Sequence, residues 1–192
     1  MTTGFRDPDL VILSNLDDRS LFNLCKVDKY TNTLCKNEDF WRNRFIKTYG
    51  NYNKPTTNTW TTWTTWREFY LKVVYYLDGS TNWEKGMKGA AKKGDKDLVD
   101  FFISKGADDW SNGMKYAAER GNKDLVDFFI QKGANNWNAG MMYAAKGGHK
   151  DLVDFFIEKG ANNWNYGRHG ATKGGHKDLI DFFIKKNKNN NK

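Results

Sequence analysis

The sequence predicts an all-α protein: a short amino-terminal helical module followed by a stack of four short helix pairs. Three observations predict it. Trp83, Trp110, Trp137 and Trp164 recur at a constant step of 27 residues, and Gly86, Gly113, Gly140 and Gly167 keep the same step. Close copies of KDLVDFFIEKGANNW, Lys150 to Trp164, fill each step. A fixed period of about 20 to 50 residues marks a stacked array, in which no unit buries its apolar face alone. Function is then expected on an exposed surface.

The amino-terminal residues read as short helices. Asp7 and Pro8 are a cap followed by the one helical position that tolerates proline, and Leu10, Ile12, Leu13 and Leu16 follow at roughly helical spacing. A second helix opens at Asp17 or Asp18 with Leu21, Phe22, Leu24 and Cys25, and a third is expected near Lys29 to Cys35. A fourth, capped by Asn37 with Glu38 and Asp39 in its first turn, presents Phe40, Trp41, Phe45 and Ile46 until Gly50 stops it. Cys25 and Cys35, in an apolar helical context, read as two small buried thiols in preference to a disulfide or a metal pair.

NYNKPTTNT, within 51–62, reads as a linker. Trp60, Trp63, Trp66, Phe69, Tyr70 and Val73 then form a helical stripe expected in a core. Gly79 precedes Trp83 as Gly106 precedes Trp110, so 63–82 reads as a degenerate half unit with Val74, Tyr75 and Tyr76 in the register of Phe101, Phe102 and Ile103. Val73 takes the register of Asp100, an apolar residue in place of a solvated acid.

Four full units follow over 83–186. In each, the first helix contains a stretch such as Gly113 to Ala118, whose alanines permit close helix approach, and a glycine such as Gly121 ends it in the left-handed conformation. The second helix, Lys123 to Lys132 in one unit, carries Leu125, Val126, Phe129 and Ile130 as its buried stripe and Lys123, Asp127 and Gln131 as an outer row with i,i+4 pairing. Gly133 closes the unit. Residues 187–192 read as a polar basic tail.

Composition narrows the class. No apolar run approaches the ~20 residues of a membrane span, and MTTGFRDPDL lacks the basic-then-apolar order of a signal peptide. The cytoplasm is therefore expected, with the nucleus as alternative. The formal charge is +8. From Trp83 onward there are 20 Lys and Arg against 14 acids, with four of the surplus supplied by Lys185, Lys186, Lys188 and Lys192 at the end of the chain and signs alternating elsewhere. That is the pattern of solvated faces and argues against nucleic acid.

Two stretches resemble known families. The series Leu10, Ile12, Leu13, Leu16, then DDRSLFNLCKVDKYTNTLC, then DFWRNRF resembles the F-box, with Leu16, Leu21, Val27 and Trp41 at matching spacing over about 40 residues. The front departs from that pattern: a Leu-Pro opening would fall near Phe5 and Arg6, whereas the only proline there is Pro8, which shortens the first helix. The resemblance covers 1–50 and implies docking to the Skp-type adaptor of a cullin-RING ubiquitin ligase, with Leu10, Ile12, Leu13, Leu16 and Leu21 as an apolar face partly left for that partner. The alternative is a plain helical cap whose apolar residues close their own core.

AAKGGHKDLVDFFIEKGAN is similar to the ankyrin repeat core, and the similarity extends over all four units. The unit is shorter than the usual ~33 residues, with the loss falling where ankyrin repeats carry a β-hairpin finger. Stacked helix pairs with stubby loops are expected, the tryptophans packing where the fingers would begin. Short units of this wording joined to an F-box-like segment look like proteins of large DNA viruses of amoebae.

Nothing points to catalysis: no glycine-rich phosphate loop, nucleophile–base set or paired carboxylates stand outside the repeated framework. His149 and His176, one unit apart, and His169 lack the neighbours a zinc site needs and read as structural. No cofactor or metal is expected. Positions that differ between units remain: Lys85, Asn112, Ala139 and Tyr166 in the returns, Lys88, Lys115, Met142 and His169 on the first helices, Lys93, Arg120, Gly147 and Gly174 at their ends. From these, Lys85, Lys88, Lys93, Asn112, Lys115, Arg120, Met142, Tyr166 and His169 are the candidate target-binding residues.

The expected function is a protein–protein interaction module, monomeric, whose repeats bind a protein target while the amino-terminal part docks a ubiquitin ligase adaptor. The rival is a scaffold that tethers or blocks its partner with no ligase link.

Overall fold

The computed structural model describes residues 13, 15–27, 35–52 and 65–190. They divide into two compact units, with the boundary between Tyr75 and Tyr76. Among the described residues there are eleven α-helices and no strand, and no helix is long and apolar enough to cross a membrane. The helix expected from Asp7, with Leu10 and Ile12, lies outside the described residues, as do most of the third helix and of the linker, Trp60, Trp63 and the last two residues of the tail.

In the first unit, α1 spans Asp18–Val27. It opens where Asp17 accepts the Ser20 N–H at 2.9 Å and the Ser20 hydroxyl at 2.6 Å. Helix α2, Glu38–Tyr49, is capped by the Asn37 side chain, which accepts from the Phe40 N–H at 3.0 Å, and it ends at Gly50 with φ 78°. Helix α3, Trp66–Leu77, begins after Thr65, whose Oγ1 accepts the Glu68 N–H at 3.1 Å; its residues up to Tyr75 belong to this unit. Trp41, Phe45, Phe69 and Val73 are fully buried.

One charge sits in this core. Arg44, 9% exposed, donates from Nη2 to Asp18 Oδ1 at 2.7 Å and to the Leu16 carbonyl at 2.6 Å. Its Nε donates to the Tyr70 hydroxyl at 3.1 Å, and that hydroxyl donates to Asp18 Oδ1 at 2.6 Å. A guanidinium can be buried here because carbonyl, phenol and carboxylate replace its water.

The reading of Cys25 and Cys35 as separate thiols is corrected. They form a disulfide, with Cα atoms 5.9 Å apart, a separation at which the bond closes. Both are buried, and the Cys35 carbonyl also accepts the Trp41 indole N–H at 2.7 Å.

The second unit holds four helix pairs: α4 Trp83–Lys93 with α5 Lys96–Ser104, α6 Trp110–Glu119 with α7 Lys123–Lys132, α8 Trp137–Gly147 with α9 Lys150–Glu158, and α10 Trp164–Gly174 with α11 Lys177–Asn190. Each first helix starts at its tryptophan for the same local reason. Asn82, Asp109, Asn136 and Asn163 accept the N–H three residues on, at 2.9 to 3.1 Å. Gly94, Gly121, Gly148 and Gly175 follow these helices at positive φ, where a glycine carries no steric penalty. Helix α11 runs on through Asn190, so the start of the stretch read as a tail is helical.

Within each pair a phenylalanine of the second helix lies on a glycine of the first. A Cβ at Gly86, Gly113, Gly140 or Gly167 would come inside 3.0 Å of the ring of Phe102, Phe129, Phe156 or Phe183, respectively. Those four rings are fully buried, as are Ala90, Ala91, Ala117, Ala118, Ala144 and Ala145 between the pairs. The preceding phenylalanine packs on its neighbour, tilted at Phe101 and edge-on in the other three pairs, as in Phe128 with Phe129 at 5.5 Å and Phe155 with Phe156 at 5.4 Å.

Ile130, Tyr75 and Tyr76 depart from the expected pattern. Ile130 is half-buried and Phe128 is roofed by the ammonium groups of Lys96 (4.7 Å) and Lys132 (5.5 Å). Tyr75, in the register of buried Phe102, is 70% exposed. Tyr76 turns inward instead: its ring packs where Gly89 has no side chain, and its hydroxyl donates to Asp95 at 2.6 Å. The i,i+4 pairs form at Lys96–Asp100 and Lys150–Asp154, whereas the Lys123 ammonium lies over Phe155 at 6.0 Å.

Gly140→Ala tests the glycine–phenylalanine contact. Helix propensity favours alanine by about 1 kcal/mol, but forcing a methyl against a buried ring costs about 1–3 kcal/mol. Urea unfolding is expected to show net destabilisation, partly reversed by Phe156→Leu in the same chain.

Candidate functional site

Because the pairs stack in register, residues 27 apart form rows along the array. Three neighbouring rows run along the first helices: Lys88, Lys115, Met142 and His169; then Gly89, Tyr116, Tyr143 and Gly170; then Lys92, Glu119, Lys146 and Lys173. Their side chains interlock across units. The Lys88 ammonium lies 4.8 Å from the centre of the Tyr116 ring, and Lys115 lies 5.4 Å from Tyr116 and 5.3 Å from Tyr143. Tyr116 meets Tyr143 edge-on at 5.3 Å, and Lys146 adds a contact to Tyr143 at 5.6 Å. Glu119, 12% exposed, sits between Lys146 at 2.9 Å and Lys92 at 3.9 Å.

This row pulls its two phenols apart. Burial raises both. At Tyr116 that effect is outweighed by hydrogen bonds from Lys88 and Tyr143 and by the Lys88 and Lys115 charges, so its pKa falls below the ordinary value. At Tyr143 burial, the bond to Tyr116 and nearby negative groups push the phenol up to about 12. A phenol held above its ordinary 10.0 stabilises the fold below that pH and loses the contribution as pH rises toward the folded value.

The ends of the first helices show a second device. The carbonyls of Lys92, Glu119 and Lys146 are equivalent, and each accepts a hydrogen bond from the following unit. Arg120 Nε donates to Lys92 at 3.1 Å, whereas His149 and His176 place Nε2 at 3.2 and 3.1 Å from the Glu119 and Lys146 carbonyls. The two histidine rings occupy the space left by Gly147 and Gly174, where a Cβ would come inside 3.0 Å of both the carbonyl oxygen and the ring. Both histidines are thus structural, and Gly147 and Gly174 are set by close approach.

The candidate residues fall into three groups. Lys88, Lys93, Arg120 and His169 are exposed on or just beyond the first helices and Lys115 is half-buried among them. Lys85, Asn112 and Tyr166 lie at the helix starts: Lys85 pairs with Asp78 at 3.2 Å, Asn112 donates to the Asp109 cap, and Tyr166 is 41% exposed. Met142 does not belong to the exposed set. It is only 9% exposed, its carbonyl and side chain packed against the bare Cα of Gly170. Sequence reasoning missed Tyr116, Tyr143 and Glu119, although Tyr116 and Tyr143 stand one step of 27 apart and beside the row it did single out.

Of the residues expected at the adaptor face, Leu10 and Ile12 lie outside the described residues. Leu13 and Leu21 are 2% and 0% exposed, consumed by their own core, while Leu16 is half-buried and Leu24 is 38% exposed. Among the described residues no cluster of three His, Cys, Asp or Glu could hold a metal ion.

Residues 87–167 match the family model for ankyrin repeats, in three copies. Ankyrin repeats mark this part of the chain as a protein–protein interaction module. No curated protein and no solved structure matches the chain.

Lys88→Met is expected to raise the Tyr116 pKa while leaving Tyr143 the later of the two to ionise. NMR of ring-labelled tyrosines through an alkaline titration reads both.

Proposed function

We propose that this protein works by holding a protein target against the first-helix face of its repeats, where Lys88, Lys93, Lys115, Arg120 and His169 are presented. The observation that carries this reading is the row of lysines fixed on Tyr116 and Tyr143. The glycine–phenylalanine and alanine contacts already close the core, so stacking does not require these charges. Lys85, Asn112 and Tyr166 extend the same face at the helix starts. Ankyrin-type binding on this side supports the assignment, as does the sparing of the row from the framework.

A second reading adds a ligase link, with the amino-terminal unit docking a Skp-type adaptor so that the bound target becomes a ubiquitination substrate. It draws on the F-box-like order of Leu16, Leu21 and Trp41 and on the exposure of Leu24. With Leu13 and Leu21 inside the core, the docking residues reduce to Leu16, Leu24 and the more amino-terminal Leu10 and Ile12. The resemblance to proteins of large DNA viruses supports a target of host origin.

A photo-cross-linking amino acid at position 115 is expected to capture a target that the same group at position 123, on the second helix, does not. Equal capture from both positions excludes the first-helix face. Binding of purified Skp-type adaptor that Leu16→Asp or Leu24→Asp abolishes supports the ligase link; soluble wild-type protein that does not bind the adaptor leaves the scaffold reading alone.

A further inference from the structure

The charges of the repeats are sorted by layer. The four first helices, with Arg120 at the end of α6, carry nine Lys and Arg against only Glu84 and Glu119. The four second helices carry eight Lys, ten with Lys105 and Lys159 at the ends of α5 and α9, against nine acids. The alternation seen along the chain therefore hides a one-sided field, positive on the first-helix layer and close to neutral on the other.

Both acids of the positive layer are committed. Glu84 Oε1 accepts the backbone N–H groups of Asp108 at 2.5 Å and Asp109 at 3.2 Å, and so serves the return loop of the next unit. Glu119 is held between Lys146 and Lys92. On α4 and α6, Lys88, Lys93, Lys115 and Arg120 have no carboxylate partner among the described residues. Three of the four are also oriented: Lys88 and Lys115 by the tyrosine rings and Arg120 by the Lys92 carbonyl. Cations ordered before the partner arrives lose less side-chain entropy on binding.

We propose that the target enters this face with an acidic peptide segment, its carboxylates reaching Lys88, Lys93, Lys115 and Arg120. This deepens, and rests on, the reading that a protein docks on the first helices. Packed helices stand about 8–10 Å apart and an extended chain advances about 3.3–3.6 Å per residue. Acids at every third residue therefore match the step from Lys88 on α4 to Lys115 on α6.

A nucleic acid fits the same surface less well. Single strands gain much of their binding from bases stacked on free aromatic faces. Here the rings of Tyr116 and Tyr143 are occupied by lysines and by each other. Glu119 and Met142 also interrupt the rows where a run of phosphates would require cations.

The test uses the full chain and fluorescence anisotropy with three labelled probes: a peptide of about twelve residues with Glu at every third position between Gly and Ser, the same peptide with Gln, and oligothymidine of equal charge. The Glu peptide is expected to bind at least tenfold more tightly than the Gln peptide, with affinity falling as salt rises. Lys88→Gln with Lys115→Gln is expected to weaken it at least tenfold with the helical circular dichroism intact. Lys132→Gln with Lys159→Gln, an equal charge change on the second-helix side, is expected to change it less than twofold. Equal binding of Glu and Gln peptides, tighter binding of oligothymidine, or an unaffected first-helix variant overturns the inference. Excess Glu peptide is also expected to suppress target capture by the cross-linker at position 115. Capture that persists sinks the acidic segment and leaves the docking reading standing, whereas no capture from that position ends both.

Discussion

A phenylalanine ring resting on a helix backbone that carries no side chain is the contact on which the repeats depend. Each helix pair makes it once, at Gly86, Gly113, Gly140 or Gly167. It brings the two helices of a pair closer than any larger residue would allow, and the paired alanines then let the next unit close on the first helix. Removing a ring of this kind from a core costs about 3–5 kcal/mol, a large share of the stability of a domain this size. The period of 27 is the spacing at which that contact is repeated, and the returns are short because little else has to be placed between pairs.

The units differ where the framework leaves them free, and the differences are coupled. The carbonyl ending each first helix is served by Arg120 in one interface and by His149 or His176 in the next two. Where histidine does this, glycine must stand at 147 and 174, since any side chain there would collide with the ring and the carbonyl. Arginine reaches the same acceptor from its own position and leaves a guanidinium at the surface. A structural requirement met in two ways thus places a cation in one unit and none in the next, which is part of why the exposed charge concentrates over α4 and α6.

The amino-terminal unit is held by different means. Arg44, Asp18 and Tyr70 form a closed hydrogen-bonded set inside an aromatic core, and Cys25 and Cys35 are joined. Leaving either charge behind alone would be costly, because a buried ion without its partner keeps its desolvation penalty. That core uses Leu13 and Leu21, two of the leucines that the F-box resemblance offered to a partner.

Much of the second unit was legible in the sequence because its causes are local. Helix ends at glycines of positive φ and the apolar stripe of each second helix follow from backbone geometry and from burial at a helical period. The exposed cations of the first helices followed from the same register. What depended on tertiary structure lies across the repeats and inside the first unit: Tyr76 turned inward in place of Tyr75, the lysines seated on tyrosines of neighbouring helices, the carbonyls reached from residues 28 and 30 positions away, and the disulfide. Sequence alone determined that this chain repeats a glycine-backed helix pair, because spacing encodes it. Which side chains meet between pairs was decided by how closely the backbones approach, a distance that only packing sets.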